Sequence, residues 1–251
     1  MVKLPAVFYG RYWFLWNVNI FIMKERALVI VAHNDDEVLG CGGFIKQLRD
    51  NGWEVGILIM TLGTTERGGI PNFVELMTES HNASVHLGAG PTKDKQSFGE
   101  WGVIKESFRD QRLDEESEID ITKRIEMHVV DYKPQLVLTH FQGDLNKDHE
   151  IVSKCVKVAC RSTVHTSVNV LMEFPVISSS NFNSIRFEAD TYIEISKEQL
   201  DAKITAMKCY KSEYNGIRQG DSIEIMAKYF GYDVGYQYAE VFKTVRTRIP
   251  L

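Results

Sequence analysis

Apolar runs alternate with stretches of helical periodicity along most of this chain. The run ALVIVA (27–32) is continuous and rich in β-branched residues, as expected of a strand that is buried on both faces. A polar turn at 33–37 follows it, and apolar residues then recur with helical spacing over 38–51. The run EVGILIMT (54–61) is a second buried strand. Strand, helix and strand in this order predict a right-handed βαβ unit with parallel strands.

The rest of the chain continues this alternation. Residues 88–112 are weakly patterned and are predicted to form a loop. No repeat, low-complexity segment or Pro/Gly/Ser linker divides the chain, so one α/β domain is predicted over 24–251. We expect a Rossmann-like, mostly parallel sheet flanked by helices, with an elaborated C-terminal part. The other predicted helices are 72–87, 116–132, 148–161, 197–214 and 222–230, and the other predicted strands are 135–140, 168–174, 192–195 and 238–245.

Residues 1–23 form an extension, dense in aromatic side chains, that precedes this pattern. Arg11, Asn17 and Asn19 interrupt its apolar run, which is too short to span a bilayer. Three interpretations remain: an anchor at a membrane interface, an element that covers the edge of the domain, or sequence upstream of a true start at Met23. Association with a membrane is not expected, although the extension leaves it open.

Composition narrows the class of protein. Of 251 residues, 44% are hydrophobic and 25% charged, and the net charge is −5. With a pI near 5.8 and no basic stripe, the chain does not have the character of a nucleic-acid binder. The four cysteines contain no CxxC pair, which favours reduced thiols and a cytoplasmic protein.

Two polar clusters follow predicted strands, at His33–Glu37 and at His140–His149. In open α/β sheets, ligands bind beyond the carboxyl ends of the strands, so both clusters should meet at one edge. A catalytic zinc ion takes three His, Asp or Glu ligands and keeps a fourth position open. His33 and Asp36 in one turn, with His149 from the other cluster, could supply those ligands, and Asp35 could accept a proton from water.

A structural interpretation competes with this one. Acidic residues after a strand favour the positive end of a helix dipole, and Asp148 could cap a helix. Capping does not call for histidine, however, and each cluster contains at least one, which favours a metal site. The glycines of GCGG (40–43) lack the spacing of a dinucleotide-binding loop, and we expect them to let a helix and a strand approach closely.

The segment AHNDDEVLGCGG (32–43) resembles the AHPDDE…GxGG signature of the PIG-L/LmbE-like de-N-acetylase superfamily. The segment THFQGDLNKDH (139–149) resembles the second metal motif of that superfamily, and fainter similarity continues to Phe242. The resemblance implies a Zn²⁺ enzyme, with another divalent metal as the alternative, that removes an acyl group from an amino sugar or a similar amine. By motif position it implies His33, Asp36 and His149 as ligands, Asp35 as general base, Arg67 as a substrate contact and Asp148 as the residue that orients His149.

The chain departs from the family pattern at two positions. Asn34 replaces the usual proline of the first motif, which makes that turn less constrained without removing a ligand. Asn146 stands where some relatives carry a histidine that stabilises the oxyanion. An Asn amide can donate a hydrogen bond to an oxyanion, so Asn146 and His140 are the two candidate donors.

The substrate expected from this resemblance is a small N-acyl amino sugar, free or attached to a nucleotide, lipid or glycan. Acetyl is the first choice of acyl group and formyl the second. Three alternatives stay open: the same chemistry on a non-sugar amide, a non-catalytic binding module of the same fold, and a metal-free flavodoxin-like or nucleotide-binding domain. The oligomeric state is not predicted.

Overall fold

A seven-stranded sheet organises the chain in a computed structural model that describes residues 25–63, 73–88, 102–161 and 167–248. The spatial order of the strands is β3-β2-β1-β4-β5-β7-β6. The strands are β1 (Arg26–Val31), β2 (Glu54–Thr61), β3 (Val103–Phe108), β4 (Leu136–His140), β5 (Val170–Phe174), β6 (Thr191–Glu194) and β7 (Ala239–Thr247). The helices are α1 (Asp36–Asp50), α2 (Phe73–His86), α3 (Glu118–Tyr132), α4 (Lys147–Ala159), α5 (Lys197–Met207) and α6 (Gly220–Val234).

The first five strands are parallel, and the C-terminal part adds antiparallel pairing. β1 lies between β2 and β4, and β3 and β5 extend the parallel sheet on either side. β7 runs antiparallel to both β5 and β6. The predicted fold class, a mostly parallel sheet with an elaborated C-terminal part, is therefore confirmed.

Alternate side chains of each central strand pack into different cores, which explains why their sequences are apolar throughout. Ala27, Val29 and Val31 of β1 pack with α1, α5 and α6 on one face. Leu28 and Ile30 pack with α3 and α4 on the other. A strand covered by helices on both faces has no side that tolerates polar residues, so ALVIVA is the run that this position requires.

The expectation that residues 88–112 form a loop throughout is wrong. Val103–Phe108 is the edge strand β3, which pairs with β2. Within this strand only Val103 and Glu106 are buried, so it has neither a continuous apolar run nor a clean alternation. The helix predicted over 197–214 also ends early, at Met207, because the chain turns there and directs the buried Tyr210 hydroxyl to Glu37, 2.6 Å away.

Helix α1 is kinked at Cys41, where φ is −144° and ψ is 24°. The kink leaves backbone groups without helical partners, and a buried ion pair satisfies them. Glu240 accepts hydrogen bonds from the N–H groups of Gly43 at 2.9 Å and Phe44 at 2.7 Å. Lys203 donates to Glu240 Oε1 at 2.6 Å and to the carbonyl oxygen of Leu39 at 2.9 Å. The pair thus joins β7 and α5 to the middle of α1.

Gly40 lies where α1 crosses β5, and this is the close approach expected of the glycine-rich segment. A Cβ at this position would lie 2.1 Å from Cδ2 of Phe174, a side chain with no exposed surface. We expect Gly40→Ala to lower the free energy of unfolding by about 1–3 kcal/mol, because a buried ring cannot move away without repacking. Urea denaturation measures this loss.

Gly42→Ala is the matched control, because its Cβ would lie 3.1 Å from Cγ of Lys203, a contact that a shift of a few tenths of an ångström relieves, and we expect it to lose less. Adding Phe174→Leu to Gly40→Ala should recover part of the stability. Equal losses for Gly40→Ala and Gly42→Ala would contradict the explanation by the aromatic ring.

Two sequence predictions concern parts of the chain outside the described residues. These are the extension at 1–23 and the substrate contact Arg67, and both stay predictions. Across the described helices, none combines the length and the apolar character needed to cross a membrane.

Candidate metal centre

The two polar clusters meet at the carboxyl edge of the sheet. β1 and β4 are parallel neighbours, with Ile30 paired to Thr139, so the segments that follow them emerge side by side. The turn after β1 carries His33 and Asp36, and the first turn of α4 carries His149. The backbone N–H of His33 donates to Asp36 Oδ2 at 2.9 Å, which holds the turn closed.

Three donor atoms form a nearly equilateral triangle. His33 Nδ1 lies 3.2 Å from His149 Nε2 and 3.3 Å from Asp36 Oδ2, and the latter two atoms are 3.2 Å apart. Zn–N distances of about 2.0–2.1 Å place the ligand atoms of a tetrahedral zinc ion about 3.3–3.4 Å from one another. The three atoms therefore fit one face of such an ion, which leaves the fourth position to solvent or substrate.

A carboxylate lies behind each of the two histidines. Asp148 Oδ2 and Asp110 Oδ1 are 3.0 Å and 3.1 Å from His33 Nε2, and Asp144 Oδ1 is 3.3 Å from His149 Nδ1. Such outer carboxylates fix the tautomer and the orientation of ligand imidazoles. The expectation that Asp148 orients His149 is wrong. Asp148 contacts His33 instead, and Asp144 is the carboxylate next to His149. Asp148 also accepts a hydrogen bond from the Leu113 N–H at 3.1 Å.

The electrostatics of the cluster favour a cation. Burial alone would lower the pKa of His33, but hydrogen bonds to Asp148 and Asp36 raise it to about 10. Burial likewise opposes protonation of His149, and the charge of Asp36 raises its pKa. Four carboxylates surround the two imidazoles, those of Asp36, Asp110, Asp144 and Asp148. Their negative charge favours positive charge at the place where the two rings meet.

Asp35 stands beside the triangle in a rare backbone conformation. Its φ of 84° and ψ of −25° lie in the left-handed region that favours glycine, and its side chain is buried. Burial raises the pKa of Asp35 well above its usual range, and the charge of Asp36 raises it further, while Arg218 opposes both. A raised pKa suits a carboxylate that must accept and return a proton near neutral pH.

Arg218 is a site residue that the sequence patterns did not reveal. It lies at the end of the short 3₁₀ helix Gly216–Arg218, between α5 and α6, and its Nη1 is 3.2 Å from Asp35 Oδ2. The same nitrogen contacts Glu213. No strand end or motif marks this segment, so its sequence carried no signal for a role 183 positions from Asp35.

The two candidate oxyanion donors have different surroundings. Asn146 lines the cleft and caps α4, accepting the Asp148 N–H on Oδ1 at 2.9 Å, so its Nδ2 group is the atom left to donate to a ligand. His140 has no exposed surface and stacks on His149 with ring centroids 3.9 Å apart. Its Nε2 accepts the Ala32 N–H at 2.8 Å, and burial lowers its pKa to about 3. Its place in the wall of the cleft favours Asn146 as the donor to the oxyanion. The buried His140 instead packs against the ring of His149.

The triangle opens into a cleft of about 830 Å³, large enough for a small-molecule substrate. His33, Asp35, Asp36 and His149 lie along its wall, together with Asn146 and Arg218. Two histidines and one carboxylate with an open side, and a further carboxylate beside them, are the features that a catalytic metal site requires.

The chain belongs to the PIG-L family, described as GlcNAc-PI de-N-acetylase, whose profile matches residues 28–160. Over 232 residues the chain is 25% identical to the probable N-acetyl-alpha-D-glucosaminyl L-malate deacetylase 2 of Bacillus subtilis strain 168, covering 86% of this chain and 98% of that protein. The family predicted from the two motifs is thereby confirmed.

Solved structures share the fold. The conserved protein TT1542 from Thermus thermophilus superposes with a TM-score of 0.71 at 24% identity, covering 90% of this chain and 97% of that one. GalB, the 4-carboxy-2-hydroxymuconate hydratase of Pseudomonas putida KT2440, superposes with a TM-score of 0.68 at 19% identity, covering 90% and 98%. Since one of these neighbours is a hydratase, the fold alone does not specify the reaction.

Proposed function

We propose that the protein is a zinc-dependent hydrolase that removes an N-acyl group, acetyl as first choice, from an amino sugar or glycoconjugate. The observation that carries the proposal is the triangle of His33, Asp36 and His149 donor atoms with the buried carboxylate of Asp35 beside it. The Bacillus relative is named as a probable deacetylase of N-acetyl-alpha-D-glucosaminyl L-malate, which supports an N-acetyl amino sugar as the substrate.

The proposed ligands of the zinc ion are His33 Nδ1, Asp36 Oδ2 and His149 Nε2. When bound there, zinc supplies a lowered pKa for a water molecule and polarisation of the amide carbonyl. Asp148 and Asp144 hold the two imidazoles in the orientation that presents these nitrogens.

Asp35 is the proposed general base. Its carboxylate accepts a proton from the attacking water as the water oxygen bonds to the amide carbon. It then returns that proton to the nitrogen as the C–N bond breaks, so the products are a free amine and acetate, or formate from an N-formyl substrate. Arg218 holds the Asp35 carboxylate from the side, and we assign it a positioning role.

Asn146 is the proposed donor to the carbonyl oxygen, on which negative charge develops during attack. Its Oδ1 is fixed by the Asp148 N–H, so the direction of Nδ2 is fixed as well. A donor held in place before the reaction stabilises this charge more than one that must reorganise.

Release of amine from a panel of N-acyl compounds tests the proposal. We expect the zinc-loaded protein to release amine and acetate in equal amounts from N-acetylated amino sugars. A chelator should abolish this turnover, and Zn²⁺ should restore it better than Mg²⁺, because imidazole ligands suit zinc. Metal analysis should find about one zinc ion per chain.

The panel also separates the alternatives. It should include N-formyl sugars, sugars with and without a nucleotide, and non-sugar N-acetyl amines. Turnover confined to the non-sugar amines would overturn the sugar substrate and keep the chemistry. Stoichiometric zinc without turnover of any amide would instead indicate a binding module.

A further inference from the structure

Three large apolar side chains are exposed in or next to the wall of the cleft. The exposed fractions are 58% for Leu145, 65% for Phe182 and 58% for Ile185. Leu145 and Phe182 line the cleft itself, and Ile185 packs over Gly143, where a Cβ would lie 2.8 Å from it. We call these three side chains the apolar rim. Grouped apolar side chains exposed beside a polar cleft are typical of a binding surface.

The rim is held at a fixed position relative to the metal triangle. Asn183, which lies between Phe182 and Ile185, donates from Nδ2 to the carbonyl oxygens of Gly143 at 3.0 Å and Asp144 at 3.3 Å. The side chain of Asp144 accepts hydrogen bonds from Ser179, at 3.0 Å, and from Ser180. Asp144 is also the carboxylate that faces His149. One residue therefore connects the segment that carries the rim to the proposed metal ligand.

The lysine and arginine side chains in the described wall of the cleft already have carboxylate partners. Among the described lining residues, Lys147 and Arg218 carry the lysine and arginine charges. Lys147 Nζ contacts Glu150 Oε2 at 2.9 Å, and Arg218 contacts both Asp35 and Glu213. Both cations are thus paired with carboxylates, and the apolar rim is the part of the described wall that has large exposed side chains without such partners.

Resting on the proposed function, we infer that the apolar rim is a subsite for an apolar aglycone, an alkyl or aryl group attached to the amino sugar. The amide must reach the triangle, whose residues are buried or half-buried, whereas the rim side chains are more than half exposed and so lie nearer to solvent. The group that contacts the rim is therefore the one that projects outward from the sugar.

A homologous series of alkyl N-acetylglucosaminides, from methyl to octyl and below their micelle concentrations, tests this subsite. Burial of one methylene is worth up to about fourfold in binding, so a partly open rim should raise kcat/KM on the order of tenfold between methyl and octyl, mainly through KM. The Phe182→Ser/Ile185→Ser variant should show a ratio of octyl to methyl near unity. Ile119→Ser and Ile225→Ser remove side chains of similar exposure on α3 and α6, outside the cleft, and should keep the full ratio.

A binding measurement keeps the test independent of turnover. Calorimetry of the zinc-loaded protein with methyl, butyl and hexyl glucosaminides, which have no amide to cleave, should show affinity rising with chain length in the wild type and not in the rim variant. A flat series in both experiments would overturn the subsite, while release of amine from the methyl glycoside would leave the proposed function intact. A chain-length effect found with longer N-acyl groups and absent with longer aglycones would overturn the assignment to the aglycone.

Discussion

His149→Ala is expected to lose both zinc binding and amide hydrolysis. His149 supplies one corner of a triangle whose edges are 3.2–3.3 Å, and a zinc site with two remaining protein ligands binds far more weakly. Removal of an outer-shell partner typically costs 10–100-fold in affinity or activity, and loss of a ligand should cost more than about 100-fold. Metal analysis after gel filtration, together with the rate of amine release, measures both losses.

Asp35→Ala is the informative partner of this variant. It should retain zinc at the wild-type ratio and lower kcat by about 10²–10⁴-fold, the contribution typical of a general acid–base group. His86→Ala, which removes an exposed histidine at the end of α2, is the control and should keep both properties. Full zinc content in His149→Ala would remove His149 from the ligand set, and near-normal turnover in Asp35→Ala would exclude Asp35 as the base.

Glu240→Ala is expected to cause the largest loss of stability, about 3–5 kcal/mol, since it leaves the buried Lys203 ammonium without its counter-charge. The same change removes the acceptor for the N–H groups of Gly43 and Phe44 at the kink of α1. Lys203 is 6% exposed and Glu240 is 4% exposed, so water cannot replace the lost partner. Urea or thermal denaturation measures the change.

The matched control is Asp201→Ala, which breaks the exposed i,i+4 pair with Lys197. Exposed pairs on a helix contribute about 0.3–0.5 kcal/mol, so the two variants should differ several-fold. In the Lys203→Met/Glu240→Gln double variant no buried charge is left unpaired, and the loss should be smaller than in Glu240→Ala. A Glu240→Ala loss as small as that of Asp201→Ala would show that the ion pair does not stabilise the kink.

The central parallel strands were predictable from the sequence, because a strand that is buried on both faces must be apolar at nearly every position. ALVIVA and EVGILIMT have almost no polar position, and a strand between two layers of helices permits few. The edge strand β3 was not predictable, since one neighbour and partial exposure impose no such pattern on VIKESF. Edge strands differ from loops mainly in their hydrogen bonds, and the amino-acid sequence shows these only weakly.

The residues of the candidate site were likewise predictable only in part. His33, Asp36 and His149 were predicted because two strand ends and two motifs marked them, and the structure brings their donor atoms together. The carboxylate behind each histidine was not correctly assigned, because Asp144 and Asp148 both lie close to His149 along the chain and only the folded turn decides which faces which ring. Arg218 reaches Asp35 through tertiary packing alone, and no local pattern announces such a contact.

At Asp35, the proposed general base, the left-handed backbone costs stability that a glycine would not cost. Glycine would adopt a φ of 84° without strain, whereas aspartate holds it at a cost on the order of 1 kcal/mol. Selection for thermal tolerance alone would favour glycine there, which lacks the carboxylate of the proposed base. An engineer who wants a more robust catalyst should therefore leave this turn untouched and look for gains elsewhere in the scaffold.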